Sequence, residues 1–194
     1  MITLAVFASG SGTNMEAIAH YLDKNSNLGI QIGCVVVDRK DAYVRERAKR
    51  LGIAEHHFTV AELNDPGVLL PFLRSYGVDR IVLAGYLRMI PPFLLEAYPN
   101  RILNIHPALL PKYGGKGMYG HHVHEAVLQA RETVTGITIH EIDEQYDRGH
   151  TVFQARVAID PDVDTADDVA NKVHALEHKY FPRVIAEWCA GGVQ

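Results

Sequence analysis

The stretch that decides the fold lies at the start of the chain and reads Ile2-Thr3-Leu4-Ala5-Val6-Phe7-Ala8-Ser9-Gly10-Ser11-Gly12-Thr13-Asn14. An apolar run ends in a turn containing Gly10 and Gly12, and apolar residues then recur with helical spacing at Met15, Ile18 and Leu22. This pattern predicts a strand, a glycine loop and a helix. Amides at such a helix start favour a phosphate, although a tight turn without a ligand explains the same glycines. The loop lacks the Gly-Lys pair of a Walker loop and the third glycine of the dinucleotide fingerprint.

Strand and helix patterns alternate as far as residue 105. Connected strands separated by helices pair in parallel, so we expect a mostly parallel sheet with helices on both faces. Ligand sites in such sheets lie beyond the carboxyl ends of the strands. After the first unit, strands are predicted at 30–38, 78–86 and 101–105, and helices at 41–51, 65–76 and 91–97.

The pattern changes after Pro111. A glycine-rich loop at 113–120 precedes a predicted helix at 122–131, and two β-rich segments at 134–142 and 151–159 are expected to pair through a polar turn. Capping residues at 164–168 then begin a long helix. We therefore predict a three-layer α/β fold whose open sheet is mostly parallel with an antiparallel C-terminal part. It forms one domain, 1–194, with a Rossmann-like nucleotide-binding half (1–110) and a C-terminal half (111–194).

Composition limits the classes of function. The chain has 194 residues, is 47% hydrophobic and carries a net charge of -4, so it can bury a full core and offers no basic surface for nucleic acid. Two cysteines far apart in sequence favour a reduced, cytoplasmic protein. No apolar stretch approaches the roughly 20 residues that span a bilayer, and the start lacks the features of a targeting segment. We expect no membrane partner.

The segment Asn104-Ile105-His106-Pro107 carries the most informative chemistry. In an extended strand, Asn104 and His106 project from the same face. An amide donor beside an imidazole suits attack on a carbonyl carbon, because both can stabilise a developing oxyanion. The alternative is a strand end whose polar side chains cap the following turn. A carboxylate would orient the imidazole, and spacing alone does not rank the three acids of the polar turn, Asp143, Glu144 and Asp147.

Two further polar features have open roles. The eleven histidines include His121, His122 and His124, but no HExxH pattern or cysteine pair accompanies them, so a polar helix face explains them better than a metal site. Glu177 lies beside an apolar helical stripe, where a carboxylate either reaches solvent or binds a ligand.

Taken together, these motifs resemble those of the phosphoribosylglycinamide formyltransferases, folate-dependent enzymes of purine synthesis. The resemblance extends over nearly the whole chain, and its five segments occur in the order of the family. They are Ser9 to Asn14 (the phosphate loop), Leu83 to Ile90 (the folate-site strand and loop), Asn104 to Pro111 (the catalytic signature), Gly136 to Asp147 with Gly149 (the segment ending in the catalytic aspartate), and Glu177-His178 with Tyr180 and Pro182 (the closing helix).

The resemblance implies a role for each matching residue. The activity implied is transfer of the formyl group from 10-formyltetrahydrofolate, a co-substrate, to the amine of 5'-phosphoribosylglycinamide, with no metal and no covalent enzyme intermediate. Small molecules are then the partners, and the chain is a monomer or homodimer. The implied catalytic residues are Asn104, His106 and Asp147; the implied ribonucleotide-binding residues are Gly12, Thr13, Asn14 and Glu177; the implied folate-binding residues are Leu87, Arg88, Met89, Ile90 and Asn104.

Three other functions use related features. A formyltetrahydrofolate hydrolase would use the same three catalytic residues with water as acceptor, but it carries an N-terminal regulatory domain, whereas the first strand here begins at residue 2. A methionyl-tRNA formyltransferase shares the Asn-x-His-Pro signature but needs a basic RNA-binding extension. A nucleotide sensor on the same fold would make the catalytic residues incidental. We therefore rank the hydrolase as the alternative.

The chain departs from the family pattern at three places. The loop 113–120 is longer and richer in glycine than the usual Pro-Gly turn. Arg148 and His150 flank Gly149 where smaller residues and proline are usual. No Lys or Arg between residues 58 and 73 matches the basic residue that contacts the folate tail in some members. We expect these differences to alter contacts on the folate side.

Overall fold

The computed structural model describes residues 1–115, 117–142 and 149–191. Within these residues, seven strands form one sheet in the order β3-β2-β1-β4-β5-β6-β7. The pairs from β3 to β5 are parallel, and β6 and β7 are antiparallel to their neighbours. The strands are β1 (Ile2–Ala8), β2 (Ile30–Val37), β3 (Glu55–His57), β4 (Arg80–Leu83), β5 (Ile102–His106), β6 (Val134–Glu141) and β7 (Thr151–Ala158).

Helices cover both faces of this sheet. In the described part of the chain they are α1 (Thr13–Lys24), α2 (Val44–Arg50), α3 (Val60–Leu63), α4 (Pro66–Ser75), α5 (Pro92–Ala97), α6 (His121–Gln129) and α7 (Ala166–Cys189), with a 3-10 turn at Ser26–Leu28. The alternation of strand side chains explains the arrangement. Leu4 and Val6 of β1 point into a core shared with α1, α2, α6 and α7, whereas Ala5 and Phe7 point into a core shared with α3, α4 and α5.

The predicted fold class is confirmed. The sheet is mostly parallel, its C-terminal strands are antiparallel, and helices form a layer on each side. The capping residues at the start of α7 also act as predicted, since Thr165 Oγ1 accepts from the Asp168 amide and the Asp168 side chain accepts from the Thr165 amide. The division into a nucleotide-binding half and a C-terminal half remains a prediction.

Two details differ from the sequence prediction. The strand expected at 78–86 is shorter, because Gly85 takes a positive φ of 73° and turns the chain out of the sheet after Leu83. The segment between residues 53 and 64 contains the edge strand β3 and the short helix α3, neither of which was predicted. β3 reads Glu-His-His, so it has no apolar run to reveal it.

Cys34 and Cys189 are free thiols buried in different parts of the core. Burial raises the pKa of the Cys34 thiol to about 12 and that of the Cys189 thiol to about 11. Across the described ranges, none of the helices combines the length and apolar character needed to cross a membrane.

Candidate active site

A cavity of about 790 Å³ opens at the edge of the sheet where β1, β4 and β5 end. Because these neighbouring strands are parallel, the loops that follow them meet at this edge. Asp147 and Arg148 lie outside the described residues. The cavity wall includes each of the other residues to which the resemblance gives a role, namely Gly12, Thr13, Asn14, Leu87, Arg88, Met89, Ile90, Asn104, His106 and Glu177.

Hydrogen bonds from α2 fix the glycine loop that follows β1. The Val44 amide donates to the Gly10 carbonyl at 3.0 Å, and Arg47 Nε donates to the Ser11 carbonyl at 2.8 Å. Gly12 packs so closely on this helix that an added Cβ would lie 2.8 Å from Val44 Cα, and its φ of 78° also disfavours a side chain. With two carbonyls held by α2, the loop and the N-terminus of α1 form one wall of the cavity.

Asn14 and Glu177 connect α1 to α7. Asn14 Nδ2 donates to Glu177 Oε2 at 2.9 Å, and both residues are buried. Burial raises the pKa of the Glu177 carboxyl, opposed by the hydrogen bond from Asn14 and by the nearby His174. Asn14 Oδ1 has no hydrogen-bond partner among the described residues. This pair gives the cavity a polar wall able to bind an amine or an amide.

Asn104 lies opposite a histidine that the sequence reasoning did not place in the site. In the antiparallel register of β5 and β6, Asn104 pairs with His140, and Asn104 Nδ2 lies 3.2 Å from His140 Nε2. An amide nitrogen only donates, so this ring nitrogen accepts. The contact fixes the Asn104 amide and leaves its second N–H available at the cavity. The strand register brings the two residues together, and local sequence carries no signal of it.

His106 is almost fully buried at the end of β5. Its Nε2 lies 2.7 Å from the Tyr113 carbonyl. Because a carbonyl only accepts, Nε2 carries a proton and donates this hydrogen bond, which fixes the orientation of the ring.

The segment after His106 is anchored to the antiparallel strands. Thr138 of β6 donates to the Ala108 carbonyl at 2.7 Å and accepts from the Leu110 amide at 2.9 Å. Gln154 of β7 donates to the Leu110 carbonyl at 3.0 Å. These contacts fix the turn between the candidate catalytic residues and the glycine-rich loop 113–120, of which Gly115 and residues 117–120 also line the cavity.

The loop after β4 forms the apolar part of the cavity. Leu87 and Met89 are exposed, at 48% and 61%, and lie in the cavity wall with Ile90. Ser9 fixes this loop, since its hydroxyl accepts from the Leu87 amide at 2.9 Å. Such exposed apolar side chains around a cleft are suited to a flat ligand ring.

Arg88, in the same loop, pairs with a buried acid. Its Nε donates to Asp38 Oδ2 at 2.6 Å, and the Asp38 side chain is 3% exposed. No motif in the sequence points to Asp38, because the two residues are 50 positions apart. The described contacts of Arg88 leave its terminal nitrogens available to an anionic ligand at the cavity.

His124 of α6 and His174 of α7 also belong to the cavity wall. In residues 1–115, 117–142 and 149–191, no group of three His, Cys, Asp or Glu side chains is placed to hold a metal ion. His121 instead lies 3.8 Å from Asp167, on the facing helix, and 3.9 Å from Glu125.

The sequence is similar to that of a known protein family over most of its length. Residues 2–185 match the model of the family described as formyl transferase. The chain belongs to this family. A formyl transferase of Bacillus subtilis named phosphoribosylglycinamide formyltransferase is 37% identical, over 96% of this chain and 94% of that protein. The chloroplastic protein of the same name from Arabidopsis thaliana is 41% identical, and this chain spans 65% of its length.

Solved structures of formyl transferases share the fold. Glycinamide ribonucleotide transformylase 1 from Symbiobacterium toebii superposes with a TM-score of 0.87 at 35% identity, covering 98% of this chain and 89% of that one. The phosphoribosylglycinamide formyltransferase from Brucella melitensis gives 0.87 at 32% identity, covering 100% and 98%. The family resemblance inferred from the sequence motifs is therefore confirmed.

Proposed function

We propose that this formyl transferase moves the formyl group of 10-formyltetrahydrofolate to the primary amine of 5'-phosphoribosylglycinamide, a step of purine synthesis. One observation carries the proposal. A single cavity joins a glycine loop at a helix N-terminus, an apolar loop suited to a ring system, and Asn104 with His106. The names of the formyl transferases to which this chain is similar support the same pair of substrates.

The ribonucleotide is assigned to the wall formed by α1 and α7. Its phosphate would accept hydrogen bonds from the amides at Gly12, Thr13 and Asn14, where the partial positive charge of α1 is concentrated. Glu177 would accept a hydrogen bond from the glycinamide group. The Asn14–Glu177 contact supports this placement, because it joins the phosphate end of the wall to the amine end.

The folate is assigned to the loop after β4. The pterin ring would contact Leu87, Met89 and Ile90, and Arg88 would face its anionic tail. No Lys or Arg occurs between 58 and 73, and among the described residues that line the cavity Arg88 supplies the guanidinium for this tail. The formyl group would then lie near Asn104, between the two substrates.

The chemistry follows from these positions. The substrate amine attacks the formyl carbon, a C–N bond forms, and the formyl oxygen becomes negative. The free N–H of Asn104 and the protonated ring of His106 stabilise that oxygen. Collapse of the intermediate breaks the bond to the folate nitrogen. The amine loses a proton and the folate nitrogen gains one, so the net reaction consumes no proton.

Asp147 retains the role implied by the family resemblance. A carboxylate beside His106 would favour the charged ring and help move the amine proton through water. This assignment rests on the sequence motif, because Asp147 lies outside the described residues.

A turnover assay tests the function. The purified chain is incubated with 10-formyltetrahydrofolate, with and without the ribonucleotide, and loss of the formyl group is followed by absorbance. We expect deformylation that depends on the ribonucleotide. Equal turnover in its absence would identify a hydrolase, and binding of both ligands without turnover would identify a sensor.

A further inference from the structure

His124 is a buried titratable residue that the proposed chemistry does not use. It lies in the first turns of α6, is 3% exposed, and belongs to the cavity wall. It lies close enough to His106, His121 and His174 for their charges to act on it. Burial of a polar ring costs desolvation free energy, and packing against neighbouring side chains does not by itself offset that cost.

The two nitrogens of His124 have different surroundings. Nδ1 is sealed from solvent and has no hydrogen-bond partner in the described part of the chain. Nε2 is not among these buried atoms without a partner, and because His124 lines the cavity we assign the small exposed part of the ring to the Nε2 side. Burial, and then the neighbouring imidazoles, lower the pKa of His124 to about 4, so the ring is neutral at pH 7 and carries one proton.

The position of that proton follows from the cost of an unpaired donor. A proton on Nδ1 would be a buried N–H with no acceptor, an arrangement that folded proteins rarely contain. A proton on Nε2 faces the cavity, where a ligand can accept it. His124 thus presents one uncharged N–H donor to the cavity.

The neighbouring elements indicate which substrate meets this donor. α6 packs against α7, where His121 Nδ1 lies 3.8 Å from Asp167 Oδ1, and α7 also carries Glu177. His174, which acts on His124, lies one helical turn before Glu177. The charged groups that act on His124 include none from the loop after β4, which is assigned to the folate.

We propose that His124 is a ribonucleotide-binding residue whose neutral imidazole donates from Nε2 to an oxygen of that substrate. The inference rests on the proposed function and deepens it. An uncharged donor at this position binds the ribonucleotide without repelling the imidazolium of His106, whereas a lysine or arginine would repel it. The acceptor is a ribose hydroxyl or a phosphate oxygen, which share the chemistry of an oxygen acceptor.

Substitution of His124 by Phe and by Gln tests the proposal. His124→Phe keeps an aromatic ring and removes the donor, and His124→Gln keeps a donor. We expect His124→Phe to raise the Kd and KM of the ribonucleotide roughly tenfold while the KM of the folate stays within about twofold. His124→Gln should recover part of the loss. His122→Gln, on the exposed side of the same helix, is the matched control and should match the wild type.

Substrate analogues distinguish the two acceptors. If the donor meets the ribose, a deoxyribose analogue should bind equally to wild type and His124→Phe. If it meets the phosphate, the dephosphorylated analogue should bind equally to wild type and His124→Phe. Equal ribonucleotide KM in wild type and His124→Phe, or equal rises in both substrate KM values, would overturn the proposal.

A measurement on the wild type covers the case in which His124→Phe does not fold. Nitrogen NMR of the imidazoles should show His124 protonated on Nε2 at pH 7, with a shift that responds to the ribonucleotide and not to the folate. A proton on Nδ1, or no response to the ribonucleotide, would overturn the inference alone. A wild type that binds no ribonucleotide would overturn the proposed function as well.

Discussion

Hydrogen bonds to individual side chains determine which atoms face the cavity. His140 accepts from one N–H of Asn104, and the Tyr113 carbonyl accepts from His106 Nε2. The first contact uses one N–H of Asn104 and leaves the other for substrate, and the second fixes the orientation of the His106 ring. Preorganised donors of this kind stabilise a developing charge without having to reorient during the reaction.

Asn104→Ala tests the donor assigned to the formyl oxygen. We expect kcat to fall about 100- to 1000-fold, because loss of one preorganised oxyanion donor has an effect of this size. Ribonucleotide affinity, measured by calorimetry, should change little, since Asn104 is assigned to the formyl oxygen and not to the ribonucleotide. A kcat within fivefold of the wild-type value would argue against this role.

The Glu177→Gln substitution should raise the stability of the protein and lower its activity. Burial raises the pKa of this carboxyl above its usual 4.5, so the native state holds its proton more tightly than the unfolded state. Raising the pH above about 4.5 therefore lowers the free energy of unfolding of the wild type. Glutamine keeps an acceptor for Asn14 without this penalty, so the variant should be more stable at pH 8, with the difference shrinking towards pH 4.5.

The same substitution should weaken catalysis. Loss of a charged hydrogen bond to the substrate is expected to lower kcat/KM for the ribonucleotide roughly 10- to 100-fold. Steady-state kinetics and urea unfolding at both pH values measure the two effects. A Glu177→Gln variant that is less stable at pH 8 and fully active would contradict the assignment.

Among the helices, α2 fixes the conformation of the glycine loop. The Val44 amide and Arg47 Nε donate to two loop carbonyls. Arg47 also pairs with Glu16 of α1 and lies over the Tyr43 ring at 5.2 Å. The helix thereby fixes both the loop and the start of α1. This arrangement explains how a loop made of glycine and serine keeps one conformation.

Arg47→Gln should make the glycine loop less rigid. We expect the ribonucleotide KM to rise about three- to tenfold, with the folate KM unchanged, because the Ser11 carbonyl loses its donor. Arg45→Gln is the matched control. It removes the same charge from the same helix and breaks the 2.7 Å pair with Glu55, which lies away from the cavity. Equal effects of the two substitutions would show that α2 does not position the loop.

The elements differ in how far the sequence could predict them. The unit β1, loop and α1 has an apolar run, glycines and helical spacing next to one another, and each is a local signal. The pairing of Asn104 with His140 depends on an antiparallel register between distant strands. The Asp38–Arg88 pair depends on a crossover that places β2 and β4 on either side of β1. Such contacts form only in the folded chain. The spacing of the motifs therefore predicts which loops form the site, but not which residues support those loops.

At the scale of the whole molecule, the site joins both halves of the chain. The glycine loop and the loop after β4 come from the parallel part of the sheet, whereas Glu177, His124 and His140 come from the part after residue 111. A ligand that contacts both parts stabilises the fold as a unit, because it binds only when the two are packed together.

Ligand binding should therefore raise the melting temperature. At a ribonucleotide concentration 100 times its Kd, the expected gain is about 2.7 kcal/mol, or roughly 5–10 °C in Tm for a chain of this size. Differential scanning calorimetry measures it, with inorganic phosphate at the same concentration as the control. A shift no larger than that produced by phosphate would show that the glycinamide end makes no contact with the protein.

Formyl transfer is measured directly by following the formyl carbon. A folate donor labelled with carbon-13 in its formyl group is mixed with the ribonucleotide and the protein, and the label is followed by NMR. We expect the label to move from the folate to the glycinamide nitrogen, and His106→Ala to stop this movement while still binding the ribonucleotide. Release of the label as free formate, or normal transfer by His106→Ala, would show that the protein does not transfer the formyl group by this mechanism.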